Sequence, residues 1–491
     1  MNEALWINTR SSLASFIRLM RAATPEDEGD PDNNPAILSE RIKYNFDNRY
    51  VRNAIHANGL YLCRKYVKHW PIVVHAPMGN PEQSNGCGRN VADDDHRSRR
   101  ISVQGCPSGI ASGVLNVEDP DRQYRDRFDH VIASTLRTAL RLTASDPALV
   151  LAGAKILYHQ RRAAALRKDL EGQGILVPAV MMISLTSRCN LACAGCYQRA
   201  QHRDRRPEMT GDQVGTLVAQ AADLGVSVIV FAGGEPLLRS EEILRLAGQY
   251  PQVLLVFFTN GLLIDKTKAV SIAGHKNLIP VISFEGFRVD TDRRRGSGVF
   301  DRLLTACSLL HERNVFFGCS ITVTRSNVDH VLGDAFIRQM MEAGVRVFVF
   351  VEYVPIEAGT EDLVLAGEQR EVLRDTLLSF SQTYSALFIG FPGDEDPYGG
   401  CLAAGRGFVH VSSSGDLEPC PAAPFSDRNL TTTPLKEAFR SGLLEKIRLH
   451  HELLTETSGG CALWANREWV QALIRQRTPK MRDNPEKGDG Q

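Results

Sequence analysis

"VSVIVFAGGEPLL", residues 226–238, decides the fold. A short β-rich run ends on two glycines, a glutamate and a proline. A buried strand that runs into a glycine loop begins a β-loop-α unit. The stretch before it, 210–224, reads as a helix. "TGDQ" forms a capping box, Val214, Leu217, Val218 and Ala221 make one apolar face, and Gly225 follows the end. The same alternation recurs outward. Further β-rich runs are "VMMISL" (180–185), "VLLVFF" (253–258), "IPVISF" (279–284), "FFGCSITV" (316–323) and "VRVFVFV" (345–351). Leu332, Ala335, Phe336 and Met340 make another helical face before Gly344. Strands without polar alternation are buried on both sides, which predicts a parallel sheet. Six units are too few for an eight-stranded barrel. The expected fold is α/β, a partial, TIM-like (β/α)6 barrel.

In such folds chemistry collects beyond the carboxyl ends of the strands. "AGGEPLL" (232–238), "TNG" (259–261) and "EGF" (285–287) each follow a strand there. So does "CNLACAGCYQ" (189–198), after the first strand. Three thiolates in one short loop suit a cubane iron–sulfur cluster, with the fourth iron left open to a small ligand. A zinc site with a distant fourth ligand is the alternative, and chance buried cysteines a third.

The remaining composition narrows the function. The chain has 491 residues, 43% hydrophobic and 23% charged, with 57 basic and 57 acidic residues. Zero formal net charge argues against a general nucleic-acid binder. No apolar run reaches the ~18 residues of a membrane span. The first 23 residues lack the apolar block of a secretory signal and read as a surface helix before a transit peptide. Eleven cysteines, an odd number, favour reduced thiols and metal ligation, hence a cytoplasmic setting.

Four regions are expected. Residues 1–120 form a mainly helical or poorly ordered region of unclear fold, in which Cys87, His96 and Cys106 match no ligand spacing. Residues 121–175 form a helical lead-in, interrupted at "SDP" (145–147). Residues 176–392 are the barrel core, and 393–491 a small C-terminal iron–sulfur domain. Cys307 and Cys319 read as core residues.

The cysteine loop and "GGEP", at the ends of consecutive strands, resemble the cluster loop and methionine-amine motif of the radical S-adenosylmethionine (radical SAM) superfamily. The resemblance covers about residues 178–390. It implies a [4Fe–4S] cluster on Cys189, Cys193 and Cys196, and S-adenosylmethionine at its open iron. It implies a low-potential electron donor and a 5′-deoxyadenosyl radical that abstracts hydrogen from substrate. Gly233 and Gly234 would allow close backbone approach. Glu235 would bind the ammonium or orient groups that do. Asn260, Ser283, Glu285 and Ser320 would line the cofactor pocket, with Thr322 and Arg325 further out. One departure is Gly195, where many relatives carry an aromatic that packs near adenine; here Tyr197 follows the last cysteine.

Cys401, Cys420 and Cys461 form a second set. "GFVHV" and "DLE" around "SSSG" read as a hairpin that brings Cys401 and Cys420 together. The spacing resembles SPASM and twitch domains, which carry auxiliary clusters, and implies a second [4Fe–4S] cluster whose fourth ligand is missing. Asp394 and Glu395, in the link to this region, are candidate acid–base residues. The reading is a radical SAM enzyme, with peptide or protein modification ahead of a small-molecule substrate such as a sugar or cofactor precursor. The alternative is a non-catalytic iron–sulfur electron carrier or redox sensor.

Overall fold

The computed structural model describes residues 120–201, 206–391, 398–454 and 461–475. These lie within one compact unit, 112–491. The expectations for residues 1–119, including Cys87, His96 and Cys106, and for Asp394 and Glu395, fall outside the described residues.

The lead-in is two helices, α1 (Pro120–Leu142) and α2 (Pro147–Gly172). Asp146 separates them by capping α2, accepting from the Ala148 N–H at 2.9 Å. Such a cap contributes about 1 kcal/mol. From α2 the buried Arg167 donates to the Gly225 carbonyl and to Asp129, tying the pair of helices to the barrel.

Six strands form the expected parallel sheet: β1 (Val180–Thr186), β2 (Val228–Gly233), β3 (Leu254–Thr259), β4 (Leu278–Phe284), β5 (Gly318–Val323) and β6 (Val347–Glu352). Helices alternate with them: α3 (Tyr197–Ala200), α4 (Gly211–Asp223), α5 (Ser240–Gln249), α6 (Lys266–Ala273), α7 (Arg288–Arg295), α8 (Val299–His311), α9 (Val328–Val331), α10 (Asp334–Glu342) and α11 (Gly367–Thr383). The capping box at α4 is present in both directions. Thr210 Oγ1 accepts from Gln213 N, and Gln213 Oε1 accepts from Thr210 N. Its face of Val214, Leu217, Val218 and Ala221 is buried.

One face of the sheet carries Met181, Ile183, Phe231, Phe257 and Phe350 into the main core under the helices. The other face holds a smaller apolar cluster of Val281, Val347 and Val349. By strand alternation Ser184, Ser283, Ser320 and Thr322 share this inner face.

The sheet is wider than the six expected strands. β7 (Leu387–Phe391) extends it beyond β6, and β8 (Phe408–Val411) pairs in parallel with the opposite edge, at β1. β9 (Leu417–Glu418) folds back on β8, giving the order β7-β6-β5-β4-β3-β2-β1-β8-β9. The 408–418 hairpin is the expected one, and it joins the barrel sheet directly. The chain then passes through α12 (Leu435–Ala438), α13 (Gly442–Leu449), α14 (Ala462–Ala465) and α15 (Arg467–Arg475). Among the described residues no helix is long and apolar enough to cross a membrane.

Candidate functional site

The three-cysteine loop runs from the end of β1 to α3, with Cys189 exposed and Cys193 and Cys196 partly buried. Contacts from several elements hold it. Glu208 accepts from Thr186 Oγ1, Ser187 N and Ser187 Oγ at 2.8–2.9 Å. Burial opposes ionisation of Glu208, yet these donors hold its carboxyl below the usual range. The Gly234 N–H donates to Thr186 O at 2.7 Å and the Glu235 N–H to Arg188 O at 2.8 Å. From α7, Arg294 exchanges hydrogen bonds with Ala194 through its guanidinium and its backbone carbonyl. The Gly195 N–H donates to Glu357 at 3.0 Å.

The motif glycines pack against this loop. A Cβ on Gly233 would collide with the Thr186 carbonyl, and one on Gly234 with the Arg188 carbonyl. Gly233 also has φ of +113°, which favours glycine. Gly195, at φ +64°, lies against Tyr353, whose hydroxyl a side chain there would strike. The space beside the last cysteine is therefore taken by an aromatic from the end of β6.

Glu235 is fully buried. Its Oε1 accepts from Leu237 N (2.9 Å) and Thr259 Oγ1 (2.7 Å), and its Oε2 from Asn260 N (2.8 Å). Burial pushes its carboxyl up despite these bonds. Its lone pairs go chiefly to the chain itself, so it fixes the ends of β2 and β3 relative to each other. Asn260 in turn points its amide at the cluster loop, 2.6 Å from Asn190 Oδ1 and 3.7 Å from Cys189 Sγ.

Glu285 is buried after β4. Its Oε1 accepts from Arg294 (2.6 Å) and from Arg295 Nε and Nη2 (2.9 and 2.6 Å), while its Oε2 is buried without a partner. The same two guanidiniums favour the Cys193 thiolate, against burial that pushes this thiol up. Ser320 Oγ donates to Ser283 Oγ at 3.1 Å on the inner face, across a β4–β5 register pair. Arg325 instead donates to the Val364 carbonyl, and Asn327 takes the Thr322 carbonyl.

Cys401, Cys420 and Cys461 are all buried, at 5–6% exposure. The Cys420 thiol is pushed well up, first by its hydrogen bond with Cys461, then by burial and by the charges of Cys461 and Cys401. Cys420 is thus hydrogen-bonded to Cys461, with Cys401 near enough for its charge to be felt. Among the described residues no three His, Cys, Asp or Glu side chains close around a single ion position.

By donor type, though not by closure on one point, the first thiol set suits the expected groups. Soft thiols in a loop beside two guanidiniums suit an anionic iron–sulfur cluster, and the orphaned Glu285 Oε2 is an acceptor awaiting a donor such as a hydroxyl or amine. Sequence reasoning passed over Glu208, Arg294, Arg295, Tyr353 and Glu357. The basic run "RRR" (293–295), placed after the fourth strand's loop, was the available signal.

The Radical SAM superfamily profile matches residues 183–335, the stretch that carries the cluster loop and the first five strands. The AdoMet-dependent heme synthase of Methanosarcina barkeri is 25% identical over 307 residues, 56% of this chain and 86% of that protein. Mycofactocin maturase MftC of Mycolicibacterium smegmatis is 28% identical over 309 residues, 59% of this chain and 76% of that protein. Streptococcus suis SuiB bound to S-adenosylmethionine shares the fold, with a TM-score of 0.50 at 20% identity over 71% of this chain and 87% of that one. With its cluster loop and "GGEP" on consecutive parallel strands, the chain carries a radical SAM domain over residues 183–335.

Proposed function

We propose that this radical SAM enzyme modifies a peptide or protein and uses two [4Fe–4S] clusters. The observation that carries the two-cluster reading is the pair of thiol sets on one sheet. The first follows β1, and the second includes Cys420, two residues beyond β9. The similarity to a maturase supports the substrate class.

When bound, the first cluster and S-adenosylmethionine supply reductive C–S cleavage and hydrogen-atom abstraction. Cys189, Cys193 and Cys196 would hold that cluster. Arg294 and Arg295 balance its charge. Gly233, Gly234 and Asn260 shape the pocket wall, and Glu235 holds that wall in place. Glu285 Oε2, Ser283 and Ser320 offer polar contacts to the nucleoside. Cys401, Cys420 and Cys461 hold the second cluster. An external low-potential donor supplies the electron in a reducing, cytoplasmic setting.

The similarity to a heme synthase, over most of that protein's length, supports a small-molecule substrate as the second reading. Deuterium transfer separates the two. The reconstituted enzyme is reduced with S-adenosylmethionine and either the peptide or the small-molecule fraction of a deuterated cell extract. Deuterated 5′-deoxyadenosine from the peptide fraction alone is expected. Deuterium arriving only from the small-molecule fraction rejects the peptide reading. Absence of any 5′-deoxyadenosine rejects the enzyme assignment in favour of a non-catalytic electron carrier.

A further inference from the structure

Three buried polar side chains form a chain across β1, β8 and β9. Ser184 Oγ lies 2.8 Å from His410 Nε2, and His410 Nδ1 lies 2.7 Å from Glu418 Oε2. His410 pairs in register with Met182 on one side and with Glu418 on the other, so all three share the inner face of the sheet. The order of contacts is that of a Ser–His–acid nucleophile. Ser184 and His410 are 0% exposed and Glu418 3%, so no substrate reaches the serine. A buried polar network is costly unless every member is satisfied, and apolar residues would hold the strands as well. Its presence here calls for another use.

The ends of the chain suggest that use. Ser184 packs beneath the motif loop, where a Cβ on Gly233 would lie 3.2 Å from Ser184 Cβ. Glu418 is followed by Pro419 and Cys420. Beyond Cys420, the Pro421 carbonyl accepts from Gln201 Nε2 at 2.6 Å. Gln201 ends α3, the helix that Cys196 begins. Cys420 is therefore bracketed. One side is tied to the strand that leads into the first thiol loop, the other to the helix that leaves it.

We propose that Ser184–His410–Glu418, together with Gln201, is a positioning brace that fixes the Cys420 loop against the radical-cluster loop and couples the two sites. His410 is the central positioning residue. The inference rests on the reading of Cys401, Cys420 and Cys461 as auxiliary ligands, and its test separates the two claims. The apo full-length protein is alkylated with iodoacetamide, and each cysteine is followed by peptide mass spectrometry. Cys307, fully buried in the core, reports global unfolding.

In His410→Leu, Cys420 is expected to react on the order of tenfold faster, from loss of buried hydrogen bonds, while Cys307 stays protected. His410→Gln, which keeps a polar partner for one neighbour, is expected to recover part of the protection. In the reconstituted and reduced protein, the low-temperature electron paramagnetic resonance signal of the radical-site cluster is expected to change in His410→Leu, although its three cysteines are intact. If His410→Leu exposes Cys307, the same comparison is made with Ser184→Ala and Gln201→Ala. Unchanged Cys420 protection in folded variants overturns the brace. Faster alkylation with an unaltered radical-site signal overturns the coupling. Wild-type iron near four per chain overturns the ligand reading instead, while the alkylation pattern still reports on the brace.

Discussion

The two thiol sets lie in opposite environments. The first occupies a loop, with one cysteine exposed and two partly buried, held by Glu208, Asn260, Arg294 and Glu357 from around the barrel. The second is buried in the apolar core with Leu402, Ala423 and Leu463. The difference teaches how each must work. A loop held by polar side chains keeps its thiols in place and within reach of solvent. A set sealed in the core is protected, and its thiols must lose their protons to bind metal in a setting that resists charge.

The sharpest way to break this comparison is to remove one set at a time. Changing Cys189, Cys193 and Cys196 together to Ala is expected to abolish 5′-deoxyadenosine formation and remove one cluster's iron. Unchanged cleavage would end the assignment of that loop. Changing Cys401 and Cys420 to Ala is expected to halve an iron content of about eight per chain. Slow cofactor cleavage is expected to persist, and substrate turnover to vanish. A wild-type value near four, with zinc in the second site, would leave only the first cluster standing.

Glu235→Ala is expected to weaken S-adenosylmethionine binding roughly tenfold to a hundredfold, about 1.4–2.8 kcal/mol, because three buried donors at the ends of β2 and β3 lose the acceptor that fixes the pocket wall. Titration calorimetry on the reconstituted protein measures this, and iron content should not fall. The pH dependence of the thiols sharpens the contrast further. In apo protein the alkylation rate of Cys420 is expected to keep rising above pH 9, where an ordinary thiol with a pKa near 8.5 is levelling off. Levelling at the ordinary pH would show that the site is open to water.

The smallest effect is at Glu208. Its depressed carboxyl contributes stability that is present above the unfolded value of about 4.3 and is lost as pH falls through the lower folded value. Glu208→Gln is expected to lower the urea midpoint at pH 7, and the gap from wild type should close towards pH 3.

The barrel was legible in the sequence because its six strands are apolar on both faces and end on unusual loops. Thr210, Gln213 and Gly225 bounded α4 by local chemistry alone. β7 was not legible, because "LFIGF" follows α11 without strong turn punctuation and only the edge of β6 makes it a strand. The cysteine loop was read from spacing. Arg294 and Arg295 were not, because a basic run at a helix end is ordinary until the fold lays it beside Cys193. Glu235 shows the limit from the other side. Its position was legible, but its partners Thr259 and Asn260 depend on how β2 and β3 meet. The Ser184–His410 contact joins residues 226 apart in sequence, and no local pattern announces it.

The pairing of β1 with β8 bears on how the protein is made. Val180 finds its partner Phe408 only after more than two hundred further residues have been synthesised. At roughly 5–20 residues per second, that edge of β1 waits on the order of ten seconds or longer for its neighbour. During this interval the cysteine loop at the end of β1 already exists, while the strand that will tie Cys420 to it does not. The nascent chain thus passes through an interval in which the first thiol loop is complete and Cys420 has not yet been brought to it.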